Sequence, residues 1–295
     1  AGIFKTPGIV AQCFSSPSQM LLIWIIGGLF CFAGALTYLQ LAKQYPEIGG
    51  EYQYLSRFYK QPVSFLYGWS RMTIIQTGSI ASIAYIFGDY AQNLLPIGSA
   101  SPMLYACVAV GALTVFNILG IRISKNVQNL LTLSIVAGLT IFCIIALNQP
   151  SQPVVLEKVQ SFDLKSLGLG LVFVLYTYGG WSEAAYTTGE LRNRERNMVY
   201  VFILSIILLI GIYFLVNLAY LSAVGFQGMQ NSDFVAGEAL RITLGDKGGT
   251  IVSILIIFAT LSSINGSIFT GARTIVVLGN NHPVFKKLEI GRAHV

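Results

Sequence analysis

Two stretches of this sequence put helix-breaking residues where an apolar helix would otherwise run. The first is AGIFKTPG, with Gly2, Pro7 and Gly8; the second is YTYGGWSE, with Gly179 and Gly180 in the middle of an apolar run. An interrupted helix releases backbone groups that a regular helix consumes. N–H groups freed at a half-helix N-terminus, helped by the helix dipole, suit a carboxylate, and C=O groups freed at a half-helix C-terminus suit an ammonium. A zwitterionic amino acid fits between the two. A single glycine equally permits close helix packing in a membrane; two breaks five segments apart favour a site, because inverted-repeat transporters bind substrate where two corresponding helices are interrupted.

Several polar residues lie at depths where polarity is expensive. Glu183, just past the second break, is either a proton carrier, a gate residue or half of a structural pair. Arg71 pairs with an acidic neighbour or, as first expectation, snorkels to the interface, and Lys5 is expected to snorkel outward. Ser262 and Asn265 coordinate an ion or, more commonly for such residues, hydrogen-bond between helices. The stretch GELRNRERN (residues 189–197), with Arg192, alternates charges and forms either the salt bridges of an inner gate or a solvated basic loop. Cys13, Cys31, Cys107 and Cys143 have no metal-ligand spacing and are expected to be reduced and buried. His282 falls in a polar turn, and no hydrolase, phosphate-loop or zinc-protease motif occurs. Neither catalytic residues, a metal nor a cofactor is expected, and the chain reads as no enzyme.

The elements that must position these residues are long apolar runs. A helix crossing the hydrocarbon needs about 20 mostly apolar residues, and eight runs approach that length: 3–14 in part, then 20–42, 63–85, 103–121, 130–147, 164–186, 198–224 and 250–278. Such runs exclude the alternation of a barrel strand, so the spans are helices. If the first run exits outward, inner connections carry Lys43, Arg57 and Lys60, then Arg122 and Lys125, then Arg192, Arg194 and Arg196, then Arg273, Lys286 and Lys287. The outer ones hold only Lys158, Lys165, Arg241 and Lys247, an alternation that follows the positive-inside rule.

Composition agrees. Of 295 residues 54% are hydrophobic and 10% charged, against roughly 25% charged in a soluble domain, so the partner of most of the surface is a lipid bilayer. The net charge of +6 lies in short clusters between apolar runs rather than a continuous stripe, which argues against nucleic acid. The chain opens without an initiator Met or basic leader and closes on EIGRAHV (289–295), the reading of a sequencing adapter. It is expected to be a piece of a longer protein.

Four stretches together resemble the L-amino acid transporter branch of the amino acid-polyamine-organocation superfamily: GIFKTPG (2–8), LAKQYPEIGGEYQYL (41–55), YGGW followed by GELRNRERN (178–181 and 189–197), and INGSIFTGAR (264–273). The resemblance implies an all-α polytopic transporter with the LeuT-like five-plus-five inverted-repeat fold, truncated to about helices 1 to 8 of 12. Residues 1–288 would then be a partial permease domain and 289–295 the adapter artefact. It further implies that Ala1, Gly2 and Ile3 receive the substrate carboxylate, and that Tyr176, Thr177 and Gly179 receive the amine, with Tyr176 closing over it. Ile74 and Ile75 match pocket-lining positions, and Glu183, Arg192, Ser262 and Asn265 are gating or coupling candidates. Two departures stand out: Ala1 replaces a Ser common in the family, and residues 128–147 lack the lysine that stands in for sodium in many members.

The expectation is thus a multi-pass protein of the cell membrane, plasma or inner, moving amino acids, first of all neutral ones, as a permease or exchanger by alternating access. No accessory subunit is assigned. A cationic amino acid or polyamine carrier of the same fold is the nearest alternative, then a channel or membrane sensor, whose polar-ringed pore would not need paired helix breaks.

Overall fold

The computed structural model describes residues 2–98, 101–148, 152–154, 163–191, 193–282 and 285. Among them regular structure is entirely helical. A 3-10 turn at Gly2–Phe4 leads into α1 (Thr6–Gln12), then come α2 (Pro17–Gln44), α3 (Glu51–Phe58), α4 (Gln61–Ser70), a π turn (Arg71–Ile75) and α5 (Gln76–Leu94). They are followed by α6 (Ser101–Ile118), α7 (Ile121–Asn148), α8 (Leu164–Tyr178), a ten-residue 3-10 segment (Trp181–Glu190) and α9 (Arg194–Val199). A second π turn (Tyr200–Leu204) joins α9 to α10 (Ser205–Val224), and α11 (Phe226–Asn231), α12 (Val235–Leu244), a 3-10 turn (Gly245–Lys247) and α13 (Gly248–Asn281) complete the order.

Local sequence sets the ends of these elements. Pro stands in the first turn of both α1 and α4, where its missing N–H is no loss. The Asp163 carboxylate caps α8 by accepting from the Ser166 amide at 3.1 Å. Glycines in the left-handed region stop or precede helices, Gly50 at φ 50° ahead of α3 and Gly225 at φ 77° after α10. Within the rod formed by α4, the π turn and α5, Thr73 donates to the Trp69 carbonyl at 2.8 Å and Thr77 to the Thr73 carbonyl at 2.6 Å. These side chains partner carbonyls that the wider turn holds less well.

Five stretches among the described residues are long and apolar enough to cross a membrane: Pro17–Gln44, Ser101–Ile118, Ile121–Asn148, Arg196–Val224 and Val235–Asn281. Each of the three remaining expected spans carries an interruption. Run 3–14 is split between a 3-10 turn and α1, run 63–85 passes through the π turn, and run 164–186 loses its helix after Tyr178. Large apolar side chains on the surface, such as Leu104, Val108 and Val115 of α6, suit hydrocarbon rather than water. The four cysteines are free, as expected, but burial holds only for Cys31 and Cys143. Cys107 lies on the exposed apolar side of α6, where a small apolar thiol is as acceptable to lipid as to a core.

The chain divides into two compact units, one made of residues 1–34, 133–181 and 203–256, the other of 35–132, 182–202 and 257–295. The first is cored by Trp24, Tyr178 and Tyr213, with ring centroids 6.0 Å (Trp24 to Tyr178), 5.8 Å (Trp24 to Tyr213) and 5.0 Å (Tyr178 to Tyr213) apart. The second has an apolar cluster of Ala84, Ala106, Leu113 and Ile264 and another around Tyr52, Val277 and Leu278. Small residues bring elements together within each. A Cβ on Gly8 of α1 would stand 2.8 Å from Val235 Cγ2, 3.1 Å from the Ser232 carbonyl oxygen and 3.2 Å from that of Met229. The two carbonyls belong to backbone and have no rotamer to escape into.

Gly8→Leu is therefore expected to destabilise the protein by about 1–3 kcal/mol through overpacking, more than Gly8→Ala. Thermal unfolding in detergent checks this; a Leu variant as stable as the parent would show that α1 does not pack as described.

Candidate functional site

Both breaks lie in the first unit and meet there. Gly2 and Ile3 lead the opening 3-10 turn, so their amides have no partner within it. The Gly2 carbonyl accepts the Lys5 amide at 2.9 Å and faces the Thr6 hydroxyl, also at 2.9 Å. Thr6 in turn lies 2.7 Å from the hydroxyl of Thr177, in the last turn of α8, and Thr177 donates to the Phe173 carbonyl at 2.8 Å. A Cβ on Gly2 would sit 3.1 Å from Thr177 Cγ2 and 3.3 Å from its Cα, so a side chain here would press on Thr177.

At the second break α8 ends where the Gly179 amide bonds back to the Tyr176 carbonyl at 3.1 Å, and Gly180 takes φ 103° before the 3-10 segment begins. Two tyrosines of α10 support the breaks from behind. Tyr213 donates to the Thr177 carbonyl at 3.3 Å, and Tyr220 to the Ile3 carbonyl at 3.4 Å. Gly2, Ile3, Tyr176, Thr177 and Gly179 are thus brought into one neighbourhood. Ile3 and Thr177 are buried, whereas the Tyr176 side chain is 77% exposed and free of the core.

The second unit holds the other candidates. Glu183 and Arg71 form an ion pair, Nη2 lying 2.7 and 2.8 Å from the two carboxylate oxygens, and the guanidinium sits 4.1 Å over the Tyr186 ring. The Arg71 side chain is only 7% exposed and that of Glu183 34%, so Arg71 is paired and buried rather than snorkelling. Polar partners and a ring face compensate the guanidinium better here than a stretch toward the interface would. Arg71 opens the π turn; its last two residues, Ile74 and Ile75, are 60% and 51% exposed.

Asn265 joins helices rather than standing open to an ion. Its Oδ1 accepts from Asn117 Nδ2 at 2.9 Å and its Nδ2 donates to Gln128 Oε1 at 2.8 Å, while Gln128 Nε2 donates to Ser262 Oγ at 2.7 Å. α6, α7 and α13 are thereby tied by amides that partner one another, as buried amides in hydrocarbon must. Near the start of α3, the Tyr38 hydroxyl donates to Glu51 Oε1 at 3.0 Å. Burial first, and the Glu51 carboxylate second, push the Tyr54 phenol on α3 up to about 12, so it stays neutral.

Ala1 and Arg192 lie outside the described residues, as do the side chains of Arg194 and Glu195 in the charged stretch around them. Sequence reasoning passed over Thr6, Tyr213 and Tyr220. Their signal was available: two tyrosines seven apart in an apolar run share one helix face, and Thr6 stands inside the first break.

A family model described as amino acid permease matches residues 1–282. The b(0,+)-type amino acid transporter 1 of Homo sapiens is 29% identical over 301 residues, covering 98% of this chain and 61% of its own length. The serine/threonine exchanger SteT of Bacillus subtilis is 26% identical over 274 residues, 92% of this chain and 63% of its own. Large neutral amino acids transporter small subunit 2 of Mus musculus is 28% identical over 291 residues, 92% of this chain and 54% of its own. The chain therefore spans less than two thirds of the length of each of these relatives.

Glu183→Gln removes the counter-charge of Arg71 and is expected to cost about 3 kcal/mol, the low end for a buried pair because the carboxylate is partly exposed. The double variant Arg71→Met with Glu183→Leu should recover most of that loss in a thermal melt. Equal melting of parent and Glu183→Gln would show that the pair does not hold the 3-10 segment.

Proposed function

The chain belongs to the amino acid permease family, and from that premise we propose that the protein is a secondary transporter of amino acids, permease or exchanger, working by alternating access. It is a multi-pass membrane protein, and the cell membrane is its proposed location. The observation that carries this reading is the meeting of the two helix breaks, linked by the Thr6 and Thr177 hydroxyls at 2.7 Å.

At such a junction a zwitterion finds both of its complements at once. The leading amides of the opening 3-10 turn, at Gly2 and Ile3, are donors for a carboxylate. The last turn of α8 offers carbonyl oxygens with lone pairs to spare at Tyr176 and Thr177, acceptors for an ammonium. Backbone groups held this way need no rearrangement to receive charge, which lowers the cost of binding. The exposed Tyr176 ring, not committed to the core, is free to close over a bound ligand.

A neutral side chain suits the surroundings best. The buried residues at the breaks, Ile3, Phe4, Thr6, Thr177 and Tyr178, carry no charge, and Lys5, the one charged residue within the first break, is exposed. An additional buried cation or anion on the substrate would meet nothing to neutralise it.

Uptake by the whole protein in proteoliposomes tests the proposal. Saturable, stereoselective uptake of a labelled neutral L-amino acid is expected, with weaker competition from cationic amino acids and polyamines. Non-saturating, ohmic flux would overturn it in favour of a channel. Gly2→Val is expected to abolish uptake while the protein still reaches the membrane, and normal uptake would refute the carboxylate assignment. Tyr176→Ala should raise the apparent KM roughly tenfold, the order of one lost aromatic contact.

A further inference from the structure

We infer that the hydroxyls of Thr6, Thr177, Tyr213 and Tyr220 form one positioning network that fixes the two helix breaks against each other, with the threonine pair keeping the link in either of two hydroxyl orders. The inference rests on the proposed amino acid transport and assigns roles to side chains rather than to the backbone groups already described.

Proton counting is the first argument. Thr6 and Thr177 own two hydroxyl protons, yet three contacts at hydrogen-bond distance surround them: Thr6 to the Gly2 carbonyl at 2.9 Å, Thr6 to Thr177 at 2.7 Å, and Thr177 to the Phe173 carbonyl at 2.8 Å. Each hydroxyl donates once. Two orders satisfy the link between the threonines. In one, Thr177 donates to Thr6 and Thr6 donates to Gly2; in the other, Thr6 donates to Thr177 and Thr177 donates to Phe173. The first order occupies the Gly2 carbonyl, and the second leaves it with the Lys5 amide at 2.9 Å and a lone pair open. Passing between them needs only rotation of two buried hydroxyls, moves no charge and keeps α1 tied to α8 throughout.

Geometry on α10 is the second argument. Tyr213 and Tyr220 are seven residues apart, which places them on one face about 10.5 Å along the helix. One reaches the Thr177 carbonyl and the other the Ile3 carbonyl. A single helix therefore holds one carbonyl from each break, so the span between the tyrosines sets the span between the breaks. Tyr220 is fully buried against Phe142, with centroids 5.4 Å apart, and Tyr213 is fixed by the Trp24 and Tyr178 rings. Neither strut is free to swing.

The test uses the whole protein in two readouts. In the first, amide hydrogen exchange without substrate is followed over residues 2–12 and 170–178; Thr6→Val is expected to speed exchange in both segments, although it alters only one. In the second, uptake kinetics are compared. Thr6→Val and Thr177→Val should each raise KM about tenfold while Vmax stays within about twofold, the scale of one lost buried hydrogen bond. The double valine variant should be no worse than either single one, and Thr177→Ser should restore the parent KM. Ser222→Ala, which removes the buried hydrogen bond from α10 to the Ala146 carbonyl, should lower stability and leave KM unchanged. Additive losses in the double variant, exchange confined to the mutated segment, or an equal KM rise in Ser222→Ala would overturn the network. Absence of uptake by the parent protein would sink the transport reading alone, and the exchange measurement would still decide the link.

Discussion

A backbone carbonyl or amide inside hydrocarbon must find a partner within the protein, because no water is there to supply one. Regular helix meets this demand by itself; the two breaks do not, and their existence depends on side chains that take the place of solvent. At the first break the Gly2 carbonyl is served by the Lys5 amide and the Thr6 hydroxyl, and the Ile3 carbonyl by Tyr220. At the second, the Thr177 carbonyl is served by Tyr213. The chain affords broken helices only where hydroxyls from a neighbouring, unbroken helix are within reach. A long and uninterrupted α10 is in that sense a condition for the irregularity of its neighbours.

Charge obeys the same constraint with higher stakes. The second unit meets it in two different ways. Asn117, Ser124, Gln128, Ser262 and Asn265 partner one another across helices, so that amide donors meet amide or hydroxyl acceptors. Arg71 instead brings a full charge into the interior and requires both a carboxylate and a ring face to stay there. A neutral network of this kind fixes a structure, since each member is replaceable only by something of like shape. A charged pair with one partly exposed partner has a second option, because Glu183 retains some access to the surface.

Much of this was legible from residue types alone. The apolar runs marked the spans because hydrocarbon tolerates little else, and the glycines at 2, 179 and 180 marked where helix gives way, whereas Gly8, expected as part of the first break, lies within α1. The pairing of Arg71 was not legible as such: span position suggested reach toward the interface, while the partner is 112 residues away in sequence and is brought close only by the fold. Thr6 was likewise hidden, since a threonine near a helix start reads as a local cap and its contact with Thr177 spans 171 positions. Asn265 was legible in kind, an amide in a membrane helix, but its partners on α6 and α7 follow from packing that no single-sequence periodicity encodes.

The π turns at Arg71–Ile75 and Tyr200–Leu204 carry one residue more than an α-helix would in the same length. Each advances the helical phase by about 100° for whatever follows. The side chains that face inward before Ser70 and after Gln76 therefore belong to two different frames of one rod, and no single stripe of apolar positions describes it. Such a place absorbs the gain or loss of a residue without ending the helix. Length variation in the third and seventh spans is then a means of re-aiming side chains, available to evolution without the loss of a membrane crossing.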